Sequence, residues 1–318
     1  MKKIFYLFTL TLLSCTKGAD VIIDESTFPD YNFRRFVLSQ WYGKDGILTS
    51  SEIEEVTEIY VTNMNIQDLK GIEYFTSLET LTCKENELNS IDLSNNQNLW
   101  RLFCTDNHIT SLDLTKNTEL QTLRCDGNQL TELDLYQNGK LRSIDCSYNQ
   151  LTTIDISNKS NLESLDCEHN LLVSLDVSKN TELESLFCGD NHLTTLDVTQ
   201  NTALKGLYCE NNQLLTLDVS KNTLLETLLC GDNKLKSLDI SKNKNLKSLS
   251  VANNQICAIN LSNNTKLEKL WCYDNQLTEL DLSKNTALIR LWCYNNQIPE
   301  LDLSNNKALV DVRQFSNR

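Results

Sequence analysis

Ten cysteines recur at one spacing. Cys83, Cys104, Cys125, Cys146, Cys167, Cys188, Cys209 and Cys230 stand 21 residues apart, and Cys272 and Cys293 resume the series after Val251 takes one place. Thiols can bridge, ligate a metal, act as nucleophiles or pack, and a strict period separates these roles. If successive repeats stack as strands, side chains in one column lie about 4.8 Å apart and point the same way. A disulfide needs Cβ atoms about 3.5–4.5 Å apart. Ligands strung along a line cannot surround one ion tetrahedrally, so no metal is expected. A buried free thiol behaves as a small hydrophobe, and packing is the expected role of the column. Cys257 falls in a column that is usually Thr, as at Thr110, Thr131 and Thr152, so it is expected to be exposed and open to reaction.

Other groups capable of chemistry are also periodic. Asp92, Asp113, Asp134, Asp155, Asp176, Asp197, Asp218 and Asp239 form a column continued by Asn260, Asp281 and Asp302. Stacked carboxylates suggest calcium, but Asn260 suits hydrogen bonding to the following Ser or turn amides, as Asp does in turns. The three histidines, His108, His169 and His192, sit on separate repeats, and His169 beside Asp166 and Glu168 is the one conceivable acid–base cluster, read as a histidine solvated among carboxylates. No serine elbow, phosphate loop or zinc spacing is present. Neither an enzyme nor a cofactor is expected. The net charge of −14 argues against a nucleic-acid partner, whose phosphates select clustered Lys and Arg.

These columns require a repeating scaffold. The unit reads L-x-x-L-x-C-x-x-N-x-L, as in Leu120, Leu123, Cys125, Asn128 and Leu130, and continues with L-D-L-S-x-N, as at Leu133-Asp134-Leu135. Asparagine follows each cysteine position by three residues from Asn86 through Asn317, and Asn65 beside Thr62 reads as one repeat more. The unit resembles a leucine-rich repeat with cysteine in place of the third leucine. A cysteine at this site in a 21-residue unit is similar to the cysteine-ladder repeats of internalin-type bacterial surface adhesins. The resemblance implies an α/β solenoid of mainly β character, a right-handed rod built from residues 58–318. One rung buries about six apolar side chains at roughly 1.5–3 kcal/mol each. Ordering 21 residues costs about 1–2 kcal/mol apiece, so a rung must share its faces with neighbours.

Ahead of the repeats, residues 20–57 read as a helical cap. Asp30 can cap one helix, and Thr49 with Glu52 makes a capping box for a second. The loop between them resembles an EF-hand at Asp45, Gly46, Thr49 and Glu52, but Trp41 and Gly43 stand where the first carboxylate ligands belong, so calcium is not expected. Residues 1–19 read as an export signal: Lys2 and Lys3 precede the apolar run Ile4–Leu13, which is too short to span a bilayer. Leu12-Leu13-Ser14-Cys15 resembles a bacterial lipobox, with Cys15 as the lipidated residue; the alternative is an ordinary cleaved signal. Both place the protein outside the cytoplasm, the first as a lipoprotein at the cell surface or outer membrane and the second as a secreted chain. Only the lipid would touch a membrane.

With the interior fixed by the repeat, recognition must use the columns beside each cysteine. Asp126, Asp145, Asp166 and Glu168 make an acidic middle, while Trp271, Tyr273, Trp292, Tyr294 and Phe315 gather toward the C-terminal end and Phe187 and Tyr208 add an aromatic pair between. Aromatic pairs stabilise sheets, yet a contiguous outward patch marks a binding surface. The adhesin resemblance implies attachment of the concave face to an extracellular protein or glycoprotein, including one of a host. Alternatives are glycan capture, with Trp271 and Trp292 stacking on sugars, and a structural envelope protein.

Overall fold

The computed structural model describes residues 20–315; the leader with Cys15, and Ser316, Asn317 and Arg318, lie outside the described residues. Each repeat contributes one three-residue strand, from β3 (Glu58–Tyr60) and β4 (Thr80–Thr82) to β15 (Asp311–Arg313), and thirteen strands form one parallel sheet in chain order. The register is constant, with Leu123 opposite Leu102 on one side and Ile144 on the other. Side chains alternate across the strand. Leu123 and Cys125 therefore point inward and are fully buried, and their equivalents are buried from Leu81 and Cys83 through Leu291 and Cys293, while in the last rung Val312 is half-buried and Gln314 exposed. The cysteines of the column are free and buried, and Cys257 is exposed.

The asparagine three residues after each cysteine connects two rungs. Asn107 Nδ2 donates to the carbonyl of Cys83 in the preceding rung and to that of its own Cys104, at 3.0 and 3.1 Å. Its Oδ1 accepts from the Leu88 amide at 3.1 Å. Polar groups buried with a full set of partners carry little penalty, whereas removing the side chain strands several of them. The N-terminal end of this ladder departs from the sequence expectation. Glu58 pairs with Thr80, so the first unit is one residue longer and Val61, not Thr62, stands opposite Cys83. Val61 is fully buried, Thr62 and Asn65 are exposed, and the asparagine ladder begins at Asn86.

A second asparagine column runs through the outer turns, from Asn96 and Asn117 to Asn306. Each Nδ2 donates to two carbonyls of the rung before, as Asn117 does to Leu93 and Asn96. The aspartates of the L-D-L motif stay in solvent and accept from the amide two residues on: Ser94 donates to Asp92 at 3.0 Å and Ser157 to Asp155 at 2.9 Å. Those bonds hold both carboxyls below their usual range. Asn260 takes the same bond from Ser262 at 3.0 Å, which is why an uncharged residue fits there.

At the N-terminal end, α1 (Tyr31–Ser39) and α2 (Ser50–Glu55) flank a two-stranded antiparallel pair, β1 (Val21–Ile22) with β2 (Ile47–Leu48). Phe28, Phe33, Val37 and Leu48 are fully buried and continue into the solenoid core through Phe75. Asp30 caps α1 by accepting from the Phe33 amide at 2.9 Å and, through its other oxygen, accepts from Gln67 at 2.8 Å, tying helix to first rung. Gly71 has φ of 106°, and a Cβ there would lie 2.2 Å from the Phe28 ring, so close packing of cap on rung needs glycine. The EF-hand-like carboxylates serve turns: Glu52 closes the capping box on Thr49, and Asp45 accepts from Ile47.

Candidate recognition face

Every strand presents three outward positions: one before the cysteine column, one after it, and one at the turn that follows. The position two beyond the cysteine is left-handed throughout, with φ near 50° at Asp106, Tyr148, His169, Asp190, Asn211 and Asp232. Asn, Asp and Gly dominate it because they tolerate that region. Glu85, Tyr148 and His169 are the exceptions, and the last two stack on each other with centroids 4.1 Å apart. His169 Nε2 also lies 3.4 Å from Asp190 Oδ2. Neither Tyr148 nor Asp190 was among the expected site residues; the Asn/Asp/Gly preference of this third column was the available signal. His169 thus faces Asp190 rather than forming a unit with Asp166 and Glu168.

The carboxylates of the middle rungs form one electrostatic strip. Asp145 and Asp166 occupy β7 (Ser143–Asp145) and β8 (Ser164–Asp166), and Asp126, Glu168 and Glu210 follow their cysteines on the same face. Glu210, Asp190 and Asp232 extend the strip beyond the four residues expected from sequence. Burial pushes Asp166 and Glu210 up to about 7, with neighbouring carboxylates adding to the rise. Asp145, Glu168 and Asp232 are raised for the same first reason. Among the described residues no Lys or Arg forms an ion pair with any of them. Elsewhere charges are matched across rungs, as Lys140 with Glu119, Lys205 with Glu184 and Lys247 with Glu226.

The aromatic residues fall into two groups. In β9 (Ser185–Phe187) and β10 (Gly206–Tyr208), Phe187 and Tyr208 are register partners. Their rings stack at 4.2 Å and 11°. In β13 (Lys269–Trp271) and β14 (Arg290–Trp292), Trp271 meets Trp292 edge-on at 6.4 Å, and Tyr273 stacks on Tyr294 at 4.6 Å and 8°. These six side chains are partly exposed, held in fixed register by the sheet beneath. The seventh expected residue, Phe315, lies past the last strand, 76% exposed, with no ring partner among the described residues. The chain's own cations already cover part of the C-terminal group. Arg313 lies 4.0 Å from the Trp292 centroid, Trp292 Nε1 donates to Asp311, and Asp311 pairs with Arg290.

No helix among the described residues is long and apolar enough to cross a membrane. No group of three His, Cys, Asp or Glu among them is arranged to hold a metal ion.

The chain matches no protein-family model and no curated protein. Among solved structures it is similar to the functional domain of InlJ from Listeria monocytogenes, which includes a cysteine ladder, with 34% identity, 94% of this chain and 71% of that chain covered, and a TM-score of 0.86. An internalin, InlF, also from Listeria monocytogenes, superposes with 23% identity, 94% and 99% coverage and a TM-score of 0.76. The plant peptide hormone receptor RGFR1, solved in complex with RGF2, shares the repeat fold at 22% identity, 78% and 46% coverage and a TM-score of 0.65. With the cysteine ladder, the repeat register and this level of identity in agreement, the chain belongs to the internalin-type leucine-rich-repeat proteins.

Proposed function

We propose that this protein is an exported surface adhesin that binds an extracellular protein or glycoprotein, including one of a host, through the outward face of its sheet. The observation that carries this reading is the pair of in-register aromatic groups, Phe187 with Tyr208 and Trp271, Tyr273, Trp292 and Tyr294, half-exposed on a rigid sheet. Aromatic side chains concentrate binding energy in protein interfaces because they bury large areas at small entropic cost. The receptor–peptide complex among the similar folds supports a polypeptide partner. The cover of Arg313 over Trp292 favours a polypeptide over a sugar, which needs an open ring face. Export rests on the leader, and surface attachment on lipidation of Cys15. Residues 20–318 tested against an extracellular-protein panel and a glycan array should select a protein or glycoprotein, and Trp271→Ala with Trp292→Ala should weaken that binding at least tenfold. Binding indifferent to both substitutions and to Phe187→Ala with Tyr208→Ala would remove the face from the account. Growth with labelled palmitate should mark the wild type but not Cys15→Ser.

A further inference from the structure

Three aromatic stations lie along the column that precedes the cysteines, and their surroundings differ. Phe103 has Lys84 Nζ 4.9 Å and the Arg124 guanidinium 5.9 Å from its ring centroid. Trp292 has Arg313 at 4.0 Å and Arg290 at 5.8 Å, with Asp311 bound to Arg290. At both ends, then, the chain supplies its own cation to an aromatic ring. The central station, Phe187 with Tyr208, has no Lys or Arg over it among the described residues. It is nevertheless the station with the most negative charge around it.

Two glycines shape this place. A Cβ at Gly206 would stand 2.9 Å from Tyr208 Cε2, so its absence lets the tyrosine ring fold flat onto the sheet and stack on Phe187. At Gly189 a Cβ would stand 3.2 Å from Glu168 Oε1, so the Glu168 carboxylate reaches across a low floor between its own rung and that of Glu210. Asp166 precedes the ring pair in the same column, and Asp190 follows at the turn. Carboxylates thus line a flat aromatic surface on a sheet that cannot shift to pair them internally. A guanidinium satisfies both demands together, since its plane stacks on a ring while its edge donates to carboxylates.

Building on the sheet-face reading above, the geometry points to a partner that docks by laying an arginine-bearing cationic polypeptide segment over Phe187 and Tyr208, its guanidinium groups held by Asp166, Glu168 and Glu210. The C-terminal aromatic group then supplies a separate, less charged contact zone on the same partner.

The probe is an acetylated, amidated peptide of alternating glycine and arginine, with a peptide carrying neutral citrulline in place of arginine as its control. Titrated at pH 8 and low ionic strength, the arginine peptide should bind residues 20–318 at least tenfold more tightly than the citrulline peptide. Glu168→Gln with Glu210→Gln should weaken arginine-peptide binding at least tenfold. Glu132→Gln with Glu182→Gln removes the same charge from exposed positions outside the strip and should leave it within twofold. Gly206→Ser, which displaces the Tyr208 ring, should weaken it severalfold, with intact circular dichroism confirming the fold. Equal binding of the two peptides, no binding of either, or equal loss in both glutamate pairs would overturn the assignment. A protein partner lost on Trp271→Ala with Trp292→Ala but kept by Glu168→Gln with Glu210→Gln would remove the cation site while leaving the recognition face in place.

Discussion

Lys159 Nζ donates to the Leu135 carbonyl, one rung back, at 2.8 Å. It does so from a position that is asparagine in the flanking rungs, Asn138 and Asn180. The neighbouring unit reads Ser178-Lys179-Asn180, whereas here Ser157-Asn158-Lys159 exchanges the last two residues. The lysine is fully buried, and burial lowers its pKa despite the attraction of Asp155 and Asp134. Asparagine in that position reaches two carbonyls without carrying a charge. Lys159→Asn should therefore stabilise the protein, by about 1–2 kcal/mol. A lower midpoint in urea for the variant would contradict this.

The thiol column has a direct chemical signature. Burial raises every thiol of the ladder, Cys104 to about 12 and Cys293 to about 11, so thiolate at pH 8 is scarce and sterically shielded. Of the eleven cysteines described, only Cys257 is exposed. Native protein lacking the leader should release one equivalent of thionitrobenzoate quickly, and ten more only in denaturant. Fewer than eleven thiols in unreduced denatured protein would reveal disulfides and break the packing argument.

Stability should depend on pH in a particular sense. Asp166 and Glu210 are raised to about 7, so the folded state holds protons that the unfolded chain releases near 4. Their contribution is fully present below the unfolded value and is lost as pH rises through about 7. The turn aspartates, including Asp92, Asp155 and Asp218, are lowered by amide hydrogen bonds, so their contribution is present above about 4 and is lost as pH falls below it. The melting temperature should thus be higher at pH 5.5 than at pH 8 and fall again below pH 4. A monotonic rise from pH 5 to 8 would contradict the desolvated strip. Binding of the arginine peptide should move the other way and weaken from pH 8 to pH 6 as the strip takes up protons.

The cap should unfold with the rod. Gly71 combines a left-handed backbone with contact against Phe28, so Gly71→Ala should cost roughly 2–3 kcal/mol and lower a single transition. A separate early transition, with the repeats melting unchanged, would show the cap to be an independent appendage.

Much of this was legible because the repeat writes each structural role many times. The inward Leu and Cys positions follow from spacing alone, since burial and hydrogen bonding act the same way in each rung, whereas the two cap helices follow from their capping residues, Asp30 and the pair Thr49 with Glu52. The first rung was misplaced because Asn65 imitates the ladder, and the extra residue before Cys83 shows only in the pairing of Glu58 with Thr80. The third outward column was missed for a different reason: its rule is backbone conformation, so Tyr148 and His169 share no side-chain property with Asn211. How Tyr208 lies against the sheet was hidden too, because it depends on Gly206 two residues away and on Phe187 in the neighbouring rung.

The central claim is that the residues flanking the cysteine column make contact with a partner. Beads coated with residues 20–318 can be allowed to settle on cultured epithelial cells and their attachment counted against shear. Wild-type beads should hold, and soluble wild-type protein should compete them off. Beads carrying Phe187→Ala, Tyr208→Ala, Trp271→Ala and Trp292→Ala together, matched for melting temperature, should lose at least nine-tenths of that attachment. Attachment undiminished by the four substitutions would contradict the account.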